Sequence, residues 1–275
     1  MRPKRSHQPR KRFGQNFLQD PAVVQKILTA IHPKPAEHLV EIGPGLGVLT
    51  KPLLALVDHL DVIEIDRDLA RELEVQFGHT QKLSIHTQDA LKFDFNTLAI
   101  AHPNKKFRII GNLPYNISTP LIFHLLNSAA LIEDMHFMLQ KEVVDRLCAK
   151  PNHKTYGRLS IMAQYYCTIV PVLSVPPNAF YPKPKVQSAF VRLTPHPILP
   201  HPAKNLALFQ TLTRIAFTQR RKTIANALKS YLNPEDFLAL NLNSTLRPET
   251  LSLADFVQIS NYCDQKLNDH PENTA

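Results

Sequence analysis

The segment that most narrows what this chain can fold into is Glu41-Ile42-Gly43-Pro44-Gly45-Leu46-Gly47, which holds three of only seven glycines in 275 residues. It follows the short apolar run His38 to Ile42 and precedes Val48 to Val57, whose spacing reads as a helix. A strand, a glycine loop and a helix in that order let backbone approach a ligand at the first turn of a parallel sheet. The alternation then repeats. Leu60 to Asp66 (LDVIEID) is strand-like, Leu69 to Phe77 helical, Leu83 to Ala90 and Phe107 to Tyr115 strand-like, and Leu121 to Leu126 starts another helix. Ahead of the loop, Asp20-Pro21 with Val24, Ile27, Leu28 and Ile31 marks a capped amphipathic helix. Such alternation predicts an α/β fold with a parallel sheet covered on both faces.

The chain is long enough for one full α/β unit and a smaller appendage. Hydrophobic residues make up 44% and charged residues 20%, which excludes global disorder, collagen and a disulfide-stapled mini-protein. Val186 to Leu193 (VQSAFVRL) alternates like a late, antiparallel edge strand. Thr194 to Ala203 carries four prolines in ten residues, so the predicted boundary separates 1–199 from a helical domain at 200–275. Three widely spaced cysteines, Cys148, Cys167 and Cys263, fit a reducing compartment and suggest no zinc site; no metal is expected. Without a signal-peptide pattern or a membrane-length apolar run, the expected location is cytoplasmic.

Net charge is +9, and its distribution says more than its size. Residues 1–12 hold six basic and no acidic side chains, whereas 13–145 hold eleven basic and sixteen acidic. Residues 146–234 hold thirteen basic groups and no Asp or Glu, and 235–275 hold two basic and seven acidic. A long acid-free stretch suits a polyanion, because each Lys or Arg that meets a phosphate releases counterions. The alternative is a solvated basic face that aids solubility. Arg214, Thr218, Arg221 and Lys222 share one face if a helix runs through them.

Four elements carry candidate chemistry. The glycine loop is G-x-G-x-G, shorter than the dinucleotide fingerprint and suited to an adenosyl amino acid without a pyrophosphate; a tight turn with no ligand is the plainer reading. Glu64, at the end of the second strand, can accept two ribose hydroxyls, but Asp66 points the same way in the alternation and one of the two can instead cap a helix. Asp89 closes the third strand, where a carboxylate can accept an adenine amino group or serve as a turn residue. Asn112-Leu113-Pro114-Tyr115 is the most specific. A nucleobase amine is a poor nucleophile because its lone pair is delocalised. The Asn oxygen and a backbone carbonyl released by the proline turn can accept its two hydrogens and aim the lone pair, while Tyr115 stacks on a flipped base. Taken alone, the tetrapeptide also fits a loop with a buried tyrosine.

These residues carry a resemblance over nearly the whole chain. Lys11–Leu18 (KRFGQNFL), Glu41–Thr50 (EIGPGLGVLT), Val62–Asp66, Gln88–Leu91, Gly111–Phe123 (GNLPYNISTPLIF), Leu139–Leu147, Tyr156–Cys167, Phe180–Leu193 (FYPKPKVQSAFVRL) and Phe217–Leu228 (FTQRRKTIANAL) resemble the ribosomal RNA adenine N6-dimethyltransferases. The match is strongest to the bacterial kasugamycin-sensitivity type. The resemblance implies a Rossmann-like methyltransferase domain, S-adenosylmethionine as donor, and dimethylation of two adjacent adenosines in the 3′-terminal hairpin loop of 16S rRNA within the immature 30S subunit. By the same resemblance, Asn16 and Leu18 close over the methionine part of the donor, Gly43 and Gly45 form its floor, Glu64 clamps the ribose and Asp89 accepts from adenine. Asn112 links donor and target amine, Pro114 shapes the turn, and Tyr115 and Phe180 sandwich the base. Gln88 is a departure, since glycine often precedes that aspartate.

Arg10, Lys11, Arg12, Arg214, Arg220, Arg221 and Lys222 are the expected RNA contacts, and a monomer is the expected state. The rival readings are a large-subunit methyltransferase of the erythromycin-resistance type and a non-enzymatic RNA-binding assembly factor.

Overall fold

The computed structural model describes residues 15–101, 103 and 105–269. In chain order the elements are β1 (Phe17–Leu18), α1 (Pro21–Ile31), β2 (His38–Ile42), α2 (Thr50–Leu56), β3 (Leu60–Ile63), α3 (Arg67–Phe77), β4 (Leu83–His86), α4 (Asn96–Ala101), β5 (Phe107–Asn112) and α5 (Ser118–Leu126). There follow β6 (Ile132–Gln140), α6 (Lys141–Leu147), α7 (Arg158–Tyr166), β7 (Cys167–Val175), β8 (Phe180–Tyr181), β9 (Ser188–Pro195), α8 (Leu206–Thr218), α9 (Ile224–Ala227), α10 (Pro234–Ala239) and α11 (Leu253–Asp269).

A seven-stranded sheet runs in the order β4-β3-β2-β5-β6-β9-β7. Its β4, β3, β2, β5 and β6 are mutually parallel, and β9 pairs antiparallel with β6. The chain winds outward from β2 through β3 to β4, then returns to β5 on the other side of β2. The ends of β2 and β5 therefore flank the switch point at which an open α/β sheet forms its crevice. Continuous burial along β2 and β3 is what a sheet covered on both faces requires. Asp20 caps α1 by accepting the Ala22 and Val23 N–H groups, with Pro21 opening the helix, as its sequence signature predicts. Arg108 on β5 closes one end of this layer by donating to Asp134, Glu37 and the Ile31 carbonyl.

Two strands depart from the sequence reading. VQSAFVRL forms an antiparallel strand as expected but is not the edge, because β7 lies outside it. Pro171 sits within β7, and proline is tolerated on an edge strand, where its missing donor costs no ladder bond. The reading assigned no strand to Ile132–Gln140, yet β6 joins the parallel block to β9. Its polar start, Ile132-Glu133-Asp134, hides an apolar run that ends Phe137-Met138-Leu139.

The chain divides into two compact units, residues 1–144 with 168–195, and residues 145–167 with 196–275. A single boundary at 199/200 does not draw this division, because α7 packs with α8 and α11. The Tyr165 ring lies 4.8 Å from Phe209, and Tyr156 meets Phe217 edge-on. Apart from the intervening strands β7, β8 and β9, all elements after α7 are helical among the described residues, and no described helix is long and apolar enough to cross a membrane.

Candidate active site

At the ends of β2, β3 and β5 a cavity of about 340 Å³ opens within the first unit. Asn16, Leu18, Gly43, Gly45, Glu64, Asp89, Asn112, Pro114 and Tyr115, separated by up to 99 residues in the chain, all line it. The loop after β2 supplies one wall. Gly45 has φ +58°, and a Cβ there would stand 3.0 Å from two atoms of the Phe17 ring, so glycine lets β1 lie against the loop. Gly111 in β5 is required for a different reason, since a Cβ would meet the Ile42 carbonyl oxygen at 2.7 Å. Glycine thus permits the close approach of the two strands that frame the switch point.

The structure separates the two acids that alternation left together. Glu64 Oε2 accepts the Gly45 N–H at 3.2 Å and Oε1 accepts the Asp66 N–H at 2.9 Å, so this carboxylate braces the glycine loop while facing the cavity. Asp66 instead caps α3 by accepting the Asp68 N–H. Each Glu64 oxygen retains a lone pair for a ligand hydroxyl. Burial pushes the Glu64 carboxyl above its ordinary range. Burial likewise raises Glu41 to about 7, opposed by the hydrogen bond that Thr50 Oγ1 donates at 2.7 Å and reinforced by the charge of Glu64. Asp89 serves as a turn residue, its Oδ1 accepting the Leu91 N–H, and it also lines the cavity.

Asn112 ends β5 with its side chain oriented. Its Nδ2 donates to the Asn16 carbonyl at 2.8 Å, a bond between residues 96 apart, which leaves Oδ1 as the acceptor of the amide. In the turn that follows, Pro114 O accepts the Ile117 N–H and Tyr115 O accepts the Ser118 hydroxyl. The Leu113 carbonyl takes no hydrogen bond among the described residues. Proline at 114 has no N–H and fixes the turn that leaves this oxygen unengaged. The Tyr115 hydroxyl shares a 2.7 Å hydrogen bond with Ser188 Oγ at the start of β9, which holds the phenol in place; burial raises its pKa.

Phe180 is placed otherwise than the resemblance implied. It is 4% exposed, belongs to the apolar cluster with Leu18, Ile27 and Val175, and does not line the cavity. The antiparallel pairing of β1 with β8 sets Phe180 opposite Leu18, on the inward side, and brings Tyr181 opposite Phe17. Tyr115 is thus the one of the two expected rings that stands at the cavity.

Among the expected RNA contacts, Arg10, Lys11 and Arg12 lie outside the described residues. Arg214, Arg220, Arg221 and Lys222 are all exposed on the second unit. They do not form one helical face, because α8 ends at Thr218 and Gln219 caps it, leaving Arg221 and Lys222 in the turn before α9. Arg220 also has a structural task, donating from Nη2 to the Lys154 and Tyr156 carbonyls. Among the described residues no group of three His, Cys, Asp or Glu could hold a metal ion.

The sequence reading gave no role to Glu41, Phe17 or Ser188, whereas the free carbonyl it expected beside the proline turn is that of Leu113. All three sit in quoted motifs, but their roles depend on partners such as Thr50, Gly45 and Tyr115 that spacing does not connect.

Comparison with known proteins gives a consistent picture. The family model for ribosomal RNA adenine dimethylase matches residues 6–265. The chain is 54% identical over 260 residues to ribosomal RNA small subunit methyltransferase A of Marinomonas sp. (strain MWYL1), covering 94% of this chain and 97% of that one. It is 54% identical over 264 residues to the protein of the same name from Vibrio cholerae, covering 96% and 97%. A dimethyladenosine transferase from Plasmodium falciparum superimposes with TM-score 0.76 at 26% identity, covering 94% of this chain and 98% of that one. The 23S rRNA methyltransferase ErmE superimposes with TM-score 0.70 at 21% identity, covering 91% and 100%, and shares the fold.

Proposed function

The chain belongs to the ribosomal RNA adenine dimethylase family, and from that premise we propose that it transfers methyl groups from S-adenosylmethionine to N6 of two adjacent adenosines in the 3′-terminal hairpin loop of 16S rRNA, within the immature 30S subunit. The 54% identity to proteins named ribosomal RNA small subunit methyltransferase A supports the small-subunit substrate. A cytoplasmic location and a monomeric state accompany this reading.

The cavity fits the donor on its own chemistry. About 340 Å³ lies in the range of small-molecule sites. Its lining offers three carboxyl groups, Glu41, Glu64 and Asp89, to a ligand that carries a cationic sulfonium, two ribose hydroxyls and an adenine amine. Glu64 would hold the ribose, Asp89 the adenine amine, and Gly43, Gly45, Asn16 and Leu18 the methionine part. When bound, S-adenosylmethionine supplies an electrophilic methyl group.

The chain's residues then prepare the nucleophile. In the first transfer Asn112 Oδ1 and the Leu113 carbonyl accept the two hydrogens of the adenine amine, and in the second one of them accepts the single hydrogen left, drawing the nitrogen toward sp³ and directing the lone pair at the donor. Tyr115, held by Ser188, stacks on the extruded base. Proximity and alignment supply most of the acceleration, and the acidic proton that N6 gives up once it carries the methyl group passes to solvent, so no side-chain base is needed. A target in an RNA loop avoids the few kcal/mol of unstacking a duplex would cost, and Arg214, Arg220, Arg221 and Lys222, with Arg10, Lys11 and Arg12, would meet its phosphates.

One observation carries this reading: the Asn112 amide is tied through Nδ2 to the Asn16 carbonyl, leaving its oxygen to the cavity shared with Glu64 and Asp89. The test is incubation with labelled S-adenosylmethionine and unmethylated 30S particles, or with protein-free large-subunit rRNA, followed by mass-spectrometric mapping of modified nucleosides. N6,N6-dimethyladenosine at two adjacent positions of 16S rRNA is expected. Modification of the large-subunit RNA alone would overturn the assignment in favour of the erythromycin-resistance type.

A further inference from the structure

The segment 181–187, the last residue of β8 and its connection to β9, is tied to the active site at both ends. At its start, Tyr181 is the cross-strand partner of Phe17. Directly opposed residues of an antiparallel pair project from the same face, so Tyr181 lies on the side of Phe17, whose ring lines the cavity against Gly45. At its end, Ser188 holds the hydroxyl of Tyr115. The segment therefore borders the place where the target base would enter.

Its exposed residues set an aromatic ring beside two lysines. Tyr181 is 59% exposed although its neighbour Phe180 is buried. Lys183 and Lys185 are exposed and form no ion pair among the described residues, while Pro184 between them is buried and anchors the turn. The whole segment falls within the acid-free stretch 146–234. A solvent-facing ring beside unpaired cations is the composition of a single-stranded nucleic-acid contact: rings stack on bases and cations track the phosphates.

We propose that residues 181–187 form an RNA-binding lip on the active-site cavity, in which Tyr181 stacks on the unpaired base beside the target adenine and Lys183 and Lys185 engage the flanking phosphates. The proposal rests on the rRNA substrate assigned above. It gives the site a place for the neighbouring nucleotide, distinct from the Tyr115 position that receives the reacting base.

The full-length protein and its Tyr181→Ala, Tyr181→Phe and Lys183→Gln/Lys185→Gln variants would be compared in binding of unmethylated 30S particles over a salt series, with S-adenosylmethionine affinity measured separately. Tyr181→Ala is expected to weaken particle binding roughly 5- to 150-fold, the value of one base stack, with an unchanged salt slope and unchanged donor affinity. Tyr181→Phe should bind as wild type does. The double lysine variant should bind less tightly with a shallower salt slope. Unchanged particle affinity in Tyr181→Ala would overturn the lip, as would an equal loss of donor affinity, which would mark Tyr181 as a mere support for Phe17. Wild-type methyl transfer is scored independently, so its failure would count against the substrate assignment and not be confused with failure of the lip.

Discussion

Replacing Asn112 with alanine separates a structural from a chemical contribution at one residue. The structural part is the 2.8 Å hydrogen bond from Nδ2 to the Asn16 carbonyl. Its loss is expected to cost about 1 kcal/mol of stability, equivalent to a fall in Tm of about 2–4 °C for a chain of this size. The chemical part is Oδ1, one of two acceptors proposed for the target amine. Loss of a single preorganised hydrogen-bonding group at a transition state typically costs about 10²- to 10³-fold in kcat, far more than a shift of a few degrees in Tm can explain at 25 °C. Binding of 30S particles is expected to stay within about twofold of wild type, because the phosphate contacts proposed to dominate RNA affinity are at other residues. Asn112→Asp would supply acceptors but no donor and would set a carboxylate against the Asn16 carbonyl, so it should lose stability too while keeping more turnover than alanine. Single-turnover methylation of saturating 30S particles, with thermal melts of the same samples, reads both parts. Wild-type turnover by Asn112→Ala, with its Tm lowered as expected, would refute the role of Oδ1 while leaving the structural bond intact.

Further expectations concern the donor site, pH and salt. Gly45→Ala forces an L-residue to φ +58° at about 1–2 kcal/mol and presses a methyl group onto the Phe17 ring; calorimetry should show donor affinity reduced about tenfold or more, and an unaltered Kd would contradict the packing described. Glu41 is raised from an ordinary 4.5 to about 7. Its contribution to stability is therefore greatest below pH 4.5 and is lost as pH rises toward 7, by about 3 kcal/mol at most. Glu41→Gln keeps an acceptor for Thr50 and should flatten the decline in denaturant stability between pH 5 and 8; an equally steep decline in the variant would place its cause elsewhere. Asp61 is buried and hydrogen-bonded by His38 and His86 at 2.7 Å each, so Asp61→Ala should cost about 1–3 kcal/mol by stranding buried polar groups, and an unshifted urea midpoint would exclude that. Affinity for 30S particles should fall steeply with salt while donor affinity changes little; parallel salt slopes would remove the case for separate donor and RNA surfaces.

Much of this site is local in the chain. The glycine loop, the acid after the second strand, Asp89 and the Asn112–Tyr115 turn each follow a strand, and a parallel sheet brings the carboxyl ends of its strands together. Strand type and order of appearance along the chain therefore placed the glycine loop, Glu64, Asp89 and the Asn112–Tyr115 turn around one cavity, while Asn16 and Leu18, expected only from the family resemblance, reach it from outside the parallel sheet. The charge blocks likewise marked an acid-free stretch without any need of coordinates.

Tertiary structure decided what depends on partners distant in sequence. Alternation could not divide Glu64 from Asp66; the Gly45 N–H on one and the cap of α3 on the other did. The inward burial of Phe180 follows from its pairing with Leu18 across 162 residues, a register that two-residue strands do not announce. The helix through Arg214 ends four residues later because Gln219 leaves helical geometry, although basic residues continue the pattern. Residues 145–167 join the second unit because their aromatic side chains pack there, which no local composition records. Periodicity and turn chemistry are encoded within a few residues, so sequence by itself determined β2 to β5, β9, the loops after them and the chemical groups at their ends, but not β6 or β7. Register, capping competition and long-range packing arise only when distant segments meet, and they decided which of those groups face the cavity.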